Sequence, residues 1–112
     1  MAENNDTTVE VTDQNFDKVK EENENIVLDF WASWCGPCKM MDPVIEDLSE
    51  KFLDRVVFGK VNTEENSQIV SKFGIQAIPT FIFIKDGEVV DQARGAIPQK
   101  DMEEKIRDNF GL

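Results

Sequence analysis

This chain of 112 residues contains no histidine and only two cysteines. Without histidine, neither a histidine-ligated metal site nor Ser-His or Cys-His nucleophilic catalysis is possible. Two cysteines are too few for a disulfide scaffold, and they supply half of the four ligands that a structural zinc ion usually takes. We therefore expect no metal site, with a zinc ion shared between two copies as the alternative.

Basic residues and long apolar runs are also scarce. Twelve lysines and arginines stand against 23 acidic residues, and the net charge is −11, which disfavours binding to nucleic acids or to anionic membranes. No apolar stretch reaches the length of a membrane-spanning helix, and the N-terminus lacks the features of a secretory signal. We expect a cytoplasmic monomer with a single domain over residues 1–112, in which residues 1–7 form a loose acidic tail.

Hydrophobic patterning predicts strands that alternate with helices. Residues 25–32 are apolar and rich in β-formers, which is typical of a central strand buried on both faces. From residue 35 to 52 the apolar positions recur every three or four residues, which predicts a helix with Pro43 inside it. Asp86-Gly87 lies between two strand-like runs and predicts a hairpin. The order β-α-β-α-β-α-β-β-α predicts an α/β fold, with a mixed five-stranded sheet flanked by four helices.

Capping signals suggest where three of the helices begin or end. Thr12 is a candidate N-cap for the first helix, and Thr63 with the two glutamates after it predicts the start of the third. Gly74 is a candidate end for that third helix. Pro98 lies near the expected start of the last helix, because proline suits a first helical turn.

The two cysteines, Cys35 and Cys38, enclose Gly36-Pro37 at the junction of the buried strand and the following helix. The first turn of a helix has unpaired N–H groups and partial positive charge, so a thiolate there is stabilised. We expect Cys35 to be the more exposed cysteine, to attack a disulfide in a partner protein, and to be released by Cys38. A structural disulfide is the alternative, but it would close a very small loop and would be unexpected in a reducing cytosol.

An acidic residue, Asp29, interrupts the apolar strand just before the cysteines. Burial disfavours an ionised carboxylate, so its pKa should be raised, which makes it a useful proton acceptor near neutral pH. The alternative is a structural aspartate that backbone donors satisfy.

The segment FWASWCGPCKM, followed by DPVIEDLSEKF, KVN, GIQAIPTFIFIKDGE and RGAIPQKDMEEKI, resembles the thioredoxin family from about Val9 to the C-terminus. The resemblance implies a thioredoxin fold and a thiol-disulfide oxidoreductase that reduces protein disulfides. It also implies that Asp29 helps to deprotonate Cys38 and that Lys60 modulates Asp29, although a lysine on a strand is more often simply solvated. No cofactor is implied beyond the redox-active Cys35–Cys38 disulfide.

The resemblance further implies a docking surface around Cys35. The Ile78–Pro79 peptide bond is expected to be cis, which leaves the Ile78 backbone free to pair with an extended client segment; otherwise Pro79 simply marks a strand start. The expected small apolar patch consists of Trp34, Gly36, Pro37, Ile78, Pro79, Gly95 and Ala96. Trp31 is expected to support the active-site turn, or to be an ordinary core residue.

Partners follow from the same resemblance. It implies thioredoxin reductase as the electron donor, and ribonucleotide reductase, peroxiredoxins and methionine sulfoxide reductases as clients. Two other functions stay open. A thioredoxin-fold binding subunit would tolerate the loss of both cysteines, and a disulfide oxidase or isomerase is disfavoured by Gly-Pro between the cysteines.

Overall fold

Within residues 7–112, which a computed structural model describes, five strands and four helices follow one another in the predicted order. The elements are β1 (Thr8–Glu10), α1 (Phe16–Glu22), β2 (Asn25–Trp31), α2 (Gly36–Lys51), β3 (Val57–Asn62), α3 (Ser67–Phe73), β4 (Thr80–Lys85), β5 (Glu88–Arg94) and α4 (Gln99–Phe110). No helix in this part of the chain is long and apolar enough to cross a membrane. The tail predicted at residues 1–7 lies outside the described residues except for Thr7, whose Oγ1 hydrogen-bonds with Ser49 Oγ at 2.6 Å.

The five strands form one mixed sheet in the order β1-β3-β2-β4-β5. Strands β1, β3 and β2 are parallel, whereas β4 is antiparallel to both β2 and β5. The sheet therefore confirms the predicted α/β architecture, with β2 at its centre and β1 at one edge. Asp86 and Gly87 both have positive φ values, of 51° and 83°, as a two-residue hairpin turn requires, so the predicted β4–β5 hairpin is also confirmed.

Two helices begin later than the capping signals predict. Helix α1 has Asn15 as its N-cap, because Thr12 and Asn15 bond to each other in the turn before it. The Thr12 N–H donates to Asn15 Oδ1 at 2.8 Å, and the Asn15 N–H donates to Thr12 Oγ1 at 3.2 Å. Helix α3 has Asn66 rather than Thr63 at its N-cap, because the chain first turns at residues 62–65. The predicted end of α3 at Gly74 is confirmed, with a φ of 63°.

Helices cover both faces of the sheet, as expected. On one face, β2 contributes Val27 to a core with apolar residues of α2 and α4, among them Ile45 and Met102. On the other face, it contributes residues 26, 28 and 30 to a core with Phe16 of α1 and Ile69 of α3. Because side chains alternate along a strand, Asp29 and Trp31 share the α2 and α4 face with Val27.

Candidate active site at the head of helix α2

The cysteine pair lies where β2 gives way to α2. Cys35 is the N-cap of α2, and it forms a disulfide with Cys38, their Cα atoms 5.3 Å apart. The Cys38 backbone N–H donates a hydrogen bond to Cys35 Sγ at 3.2 Å. Pro37 lies in the first turn, where its missing N–H costs no helical hydrogen bond. The Cys35 sulfur therefore occupies the place where a helix start best stabilises negative charge.

The expected difference in exposure between the two cysteines is wrong for this disulfide form. Cys35 is 4% exposed and Cys38 is 3% exposed. The physical reason is that each sulfur covers the other, while Trp31 and Ile78 pack against the pair. Cys35 is flanked instead by exposed neighbours, because Trp34 is 70% exposed and Gly36 and Pro37 also face solvent.

Asp29 is buried on the face of β2 that α2 covers. Only 3% of the residue is exposed. Burial raises the pKa of its carboxyl from 3.8 to about 7, while Lys60 opposes the rise and Asp42 adds to it. The strand neighbours on its face are Val27, which packs with α2, and Trp31, which packs against the cysteines. Asp29 thus lies on the face of β2 that α2 covers, as a carboxyl that can gain or lose a proton near pH 7.

Lys60 lies beside Asp29 but bonds to a different carboxylate. The two residues are register partners in the parallel β2–β3 pair, which puts both side chains on one face of the sheet. The Lys60 Nζ donates to Asp42 Oδ1 at 2.8 Å and lies 5.7 Å from the centre of the Trp31 ring. Lys60 therefore acts on Asp29 through its charge, while its ion pair is made with helix α2.

Asp42 belongs to this site but was not predicted from the sequence. It follows Cys38 by four positions on α2, so both lie on one side of the helix, one turn apart. A carboxylate at that spacing from the inner cysteine is the signal that could have revealed it. Its partner on β3 is 18 positions away in sequence, and nothing local indicates that pairing.

The residues predicted for docking come from three separate parts of the chain. The Ile78–Pro79 bond is cis, as the resemblance implies, and Ile78 packs against the cysteines. The Gly95 N–H donates to the Pro79 carbonyl oxygen at 2.8 Å, which holds the loop after β5 against the start of β4. Ala96, exposed, follows Gly95 in that loop.

A groove runs from Trp34 along the segment that precedes Pro79. Its volume is about 420 Å³, and its lining includes Trp34 and Ile78, the latter packed against the cysteines. Its other lining residues lie outside the predicted docking surface; they are Thr63, Val70, Ile75, Gln76 and Ala77. Val70 and Ile75 also pack against the core, so nothing in the local pattern marks them as surface-lining.

Within residues 7–112, no group of three or more histidine, cysteine, aspartate or glutamate side chains is placed to hold a metal ion. The redox-active group that the described residues supply is the disulfide itself. Its reduction and formation move two electrons and are governed by the acidity of the attacking thiol.

Comparison with known proteins agrees with this site. The Thioredoxin family profile matches residues 7–108. The chain is 43% identical over 103 residues to a thioredoxin of Chlorobaculum thiosulfatiphilum, covering 91% of this chain and 95% of that one. It is 47% identical over 96 residues to thioredoxin H4 of Arabidopsis thaliana, covering 86% and 80%.

A solved structure is similar over the whole fold. A mutant thioredoxin from Halobacterium salinarum NRC-1 superimposes with a TM-score of 0.86 at 28% identity, covering 99% of this chain and 98% of that one. Together with the paired cysteines at the head of α2, these matches show that this chain belongs to the thioredoxin family and is a thiol-disulfide oxidoreductase that reduces protein disulfides.

Proposed function

We propose that Cys35 is the attacking thiol and Cys38 the resolving thiol in the reduction of client disulfides. The observation that carries this assignment is the N-cap position of Cys35, with its sulfur accepting a hydrogen bond from the Cys38 N–H. In the reduced protein, the same N–H and the positive end of α2 stabilise a Cys35 thiolate. The thiolate is the species that attacks a disulfide.

The exchange has two steps that balance in sulfur and electrons. The Cys35 thiolate attacks one client sulfur, the client S–S bond breaks, and the other client sulfur leaves as a thiolate that takes up a proton. Cys38 then loses its proton and attacks Cys35 Sγ, which forms the internal disulfide and releases the first client sulfur. The client is reduced by two electrons, and Cys35 and Cys38 are oxidised by two.

Asp29 is the proposed proton acceptor for Cys38. It is a buried carboxyl on the face of β2 that α2 covers, and its pKa of about 7 lets it take up a proton at neutral pH. Lys60 is proposed to tune this acceptor through its charge. Trp31 is proposed to support the site, because it packs against the cysteines on the same side of β2 as Asp29.

Clients are proposed to dock on the small apolar surface around the disulfide. Its members come from the exposed turn before α2 (Trp34, Gly36, Pro37), the cis-proline segment (half-buried Ile78, buried Pro79) and the loop after β5 (half-buried Gly95, exposed Ala96). Large exposed Trp34 and the groove beside it supply apolar contact area. Few charged side chains line this surface, which suits a protein that accepts many different disulfides.

Family membership implies recycling by a thioredoxin reductase and protein disulfides in general as substrates. As specific clients we propose ribonucleotide reductase, peroxiredoxins and methionine sulfoxide reductases. We propose the cytoplasm as the location, where thiols are kept reduced, and no cofactor other than the disulfide.

The assignment of the two thiols is tested with reduction of insulin, coupled to thioredoxin reductase and NADPH. We expect turnover in the parent. Cys38→Ser should stop turnover and accumulate a mixed disulfide with insulin through Cys35, because the resolving thiol is missing. Non-reducing electrophoresis and peptide mass mapping identify the bridge.

Matched variants complete this experiment. Cys35→Ser should give neither turnover nor a mixed disulfide, although Cys38 is still present. Circular dichroism shows that each variant is folded. A mixed disulfide through Cys38 in Cys35→Ser, at the rate seen for Cys38→Ser, would reverse the two roles, and a folded parent without turnover would contradict the proposed function.

A further inference from the structure

The ammonium group of Lys60 acts on two carboxylates, one on β2 and one on α2. Lys60 on β3 is the register partner of buried Asp29, and its Nζ lies 2.8 Å from Oδ1 of Asp42 on α2. The three residues come from three different elements. Asp42 is the outermost, with 42% of its side chain exposed, against 25% for Lys60.

The position of Asp42 determines which carboxylate forms the ion pair with Lys60. A flexible lysine on the strand next to Asp29 could pair with that carboxylate directly, and a direct pair would favour the ionised form of Asp29. Among residues 7–112, the ion pair of Lys60 is made with Asp42 and not with Asp29. The ammonium also lies against the Trp31 ring, which further fixes its position.

We propose that Asp42 is a positioning residue for the thiol exchange, which holds Lys60 at the α2 side and thereby keeps Asp29 able to accept a proton near neutral pH. The inference rests on the proposed role of Asp29. Asp42 touches neither thiol in this role and acts through the lysine.

The charges that act on Asp29 from the surrounding elements fit this arrangement. Lys60 on β3 favours ionisation of Asp29, and Asp42 on α2 opposes it. The antiparallel neighbour on β4 is Phe81, which carries no charge. The cysteines at the start of α2 form a disulfide in this state and do not titrate. Asp42 therefore opposes the ionisation of Asp29 in two ways. Its own negative charge repels the ionised carboxylate, and it holds the positive charge of Lys60 in an ion pair.

The test measures the pKa of Asp29 in the oxidised protein, from the carboxyl ¹³C shift across a pH titration. Asp42→Asn should lower that pKa by about 0.5 or more, because Lys60 is then free to pair with Asp29. Asp47→Asn is the matched control. It removes the same charge from an exposed position on the same helix and should move the pKa of Asp29 by less than about 0.2.

A second pair of variants separates the effect of Asp42 on the position of Lys60 from the effect of its own negative charge. In a Lys60→Met background, Asp42→Asn should lower the pKa of Asp29 by less than half as much as it does in the parent, because no ammonium remains to be released. An equal fall in both backgrounds, no fall in the parent background, or an equal fall in Asp47→Asn would overturn the proposal. The titration uses neither client nor reductase, so its outcome is independent of whether insulin is turned over.

The same variants predict a change in the pH dependence of the exchange. The midpoint of single-turnover client reduction against pH should move to lower pH in Asp42→Asn, by the amount that the pKa of Asp29 moves. A merely structural role would lower the rate equally at every pH. A parallel loss without a shift in the midpoint would therefore overturn the positioning role.

Discussion

The two faces of strand β2 are both buried over residues 26–30 but are chemically different. On the α1 and α3 face, the strand presents Ile26, Leu28 and Phe30, all fully buried in an apolar core. On the α2 and α4 face, it presents Val27, then Asp29, which is 3% exposed. One strand therefore serves packing on one side and places an ionisable group among apolar neighbours on the other.

This difference shows which face of the strand carries the ionisable group and how burying that group affects the stability of the fold. Burying an apolar side chain stabilises the fold, by about 1.5–3 kcal/mol for a large one. Burying a carboxyl favours its neutral form and opposes folding once the unfolded chain has ionised. Packing on the apolar face thus stabilises the fold, whereas the buried carboxyl on the other face destabilises it once it is ionised in the unfolded chain. Truncating an apolar residue should therefore lower the free energy of unfolding, and removing the carboxyl should raise it.

The largest expected effect lies on the apolar face. Phe30→Ala should lower the free energy of unfolding by roughly 3–5 kcal/mol, because it leaves a cavity beside Phe73, whose ring centre lies 6.0 Å from that of Phe30. Urea denaturation at pH 7 measures the loss. The pKa of Asp29 in the folded protein should stay close to 7, and a loss below about 1 kcal/mol would contradict the packing argument.

Asp29→Asn should act in the opposite direction and depend on pH. In the parent, the pKa of Asp29 is raised from 3.8 to about 7. Between these values Asp29 keeps a proton in the native state that it has lost in the unfolded state. The contribution of Asp29 to the free energy of unfolding therefore falls as pH rises through this window and is constant above it. The variant should therefore equal the parent near pH 3.8 and be more stable by about 2–4 kcal/mol at pH 8.

Denaturant titrations from pH 3.5 to 8.5 measure this difference for Asp29→Asn. Insulin reduction by the same variant should slow by roughly tenfold or more, because the proton acceptor is lost. A stabilisation that is the same at every pH would show that burial of the charge is not its cause. Unchanged turnover would remove Asp29 from the proposed mechanism.

The smallest effect on stability should come from a substitution at Gly59 on β3, which tests how tightly the apolar face is packed. A Cβ at this position would lie 2.5 Å from Val11 Cγ2 and 3.2 Å from Leu28 Cδ2. Gly59→Ala should therefore cost about 1–3 kcal/mol through overpacking. Gly36→Ala is the matched control, because nothing lies within 4 Å of its added Cβ. An equal change in both, measured by thermal unfolding, would contradict the clash.

Much of the fold could be predicted because its signals are local. The run of apolar β-formers indicates the buried strand β2, and Asp86-Gly87 indicates the hairpin, as the structure confirms. Helix starts were less predictable. Asn66 begins α3 although its side chain makes no capping bond, and the N–H groups of residues 68 and 69 donate instead to the carboxylate of Asp13, more than 50 positions earlier in the chain.

Some features of the candidate site could likewise be predicted from local sequence, and others could not. The placement of Cys35 and Cys38 at a helix head follows from their spacing and from the pattern on either side. The burial of Cys35 does not, because it depends on Ile78 from a distant loop and on the disulfide itself. The link between Gly95 and Pro79 likewise joins two loops that the hairpin brings together.

The sequence by itself determined the reactive pair, the acidic residue in the central strand, and the order of the strands and helices. These features depend on neighbours within a turn or a strand, where the spacing of side chains fixes their geometry. Only the tertiary structure decided that Lys60 pairs with Asp42, 18 positions away, rather than with its strand neighbour Asp29. That choice depends on how α2 packs across the β2–β3 pair, and no local pattern of residues contains it.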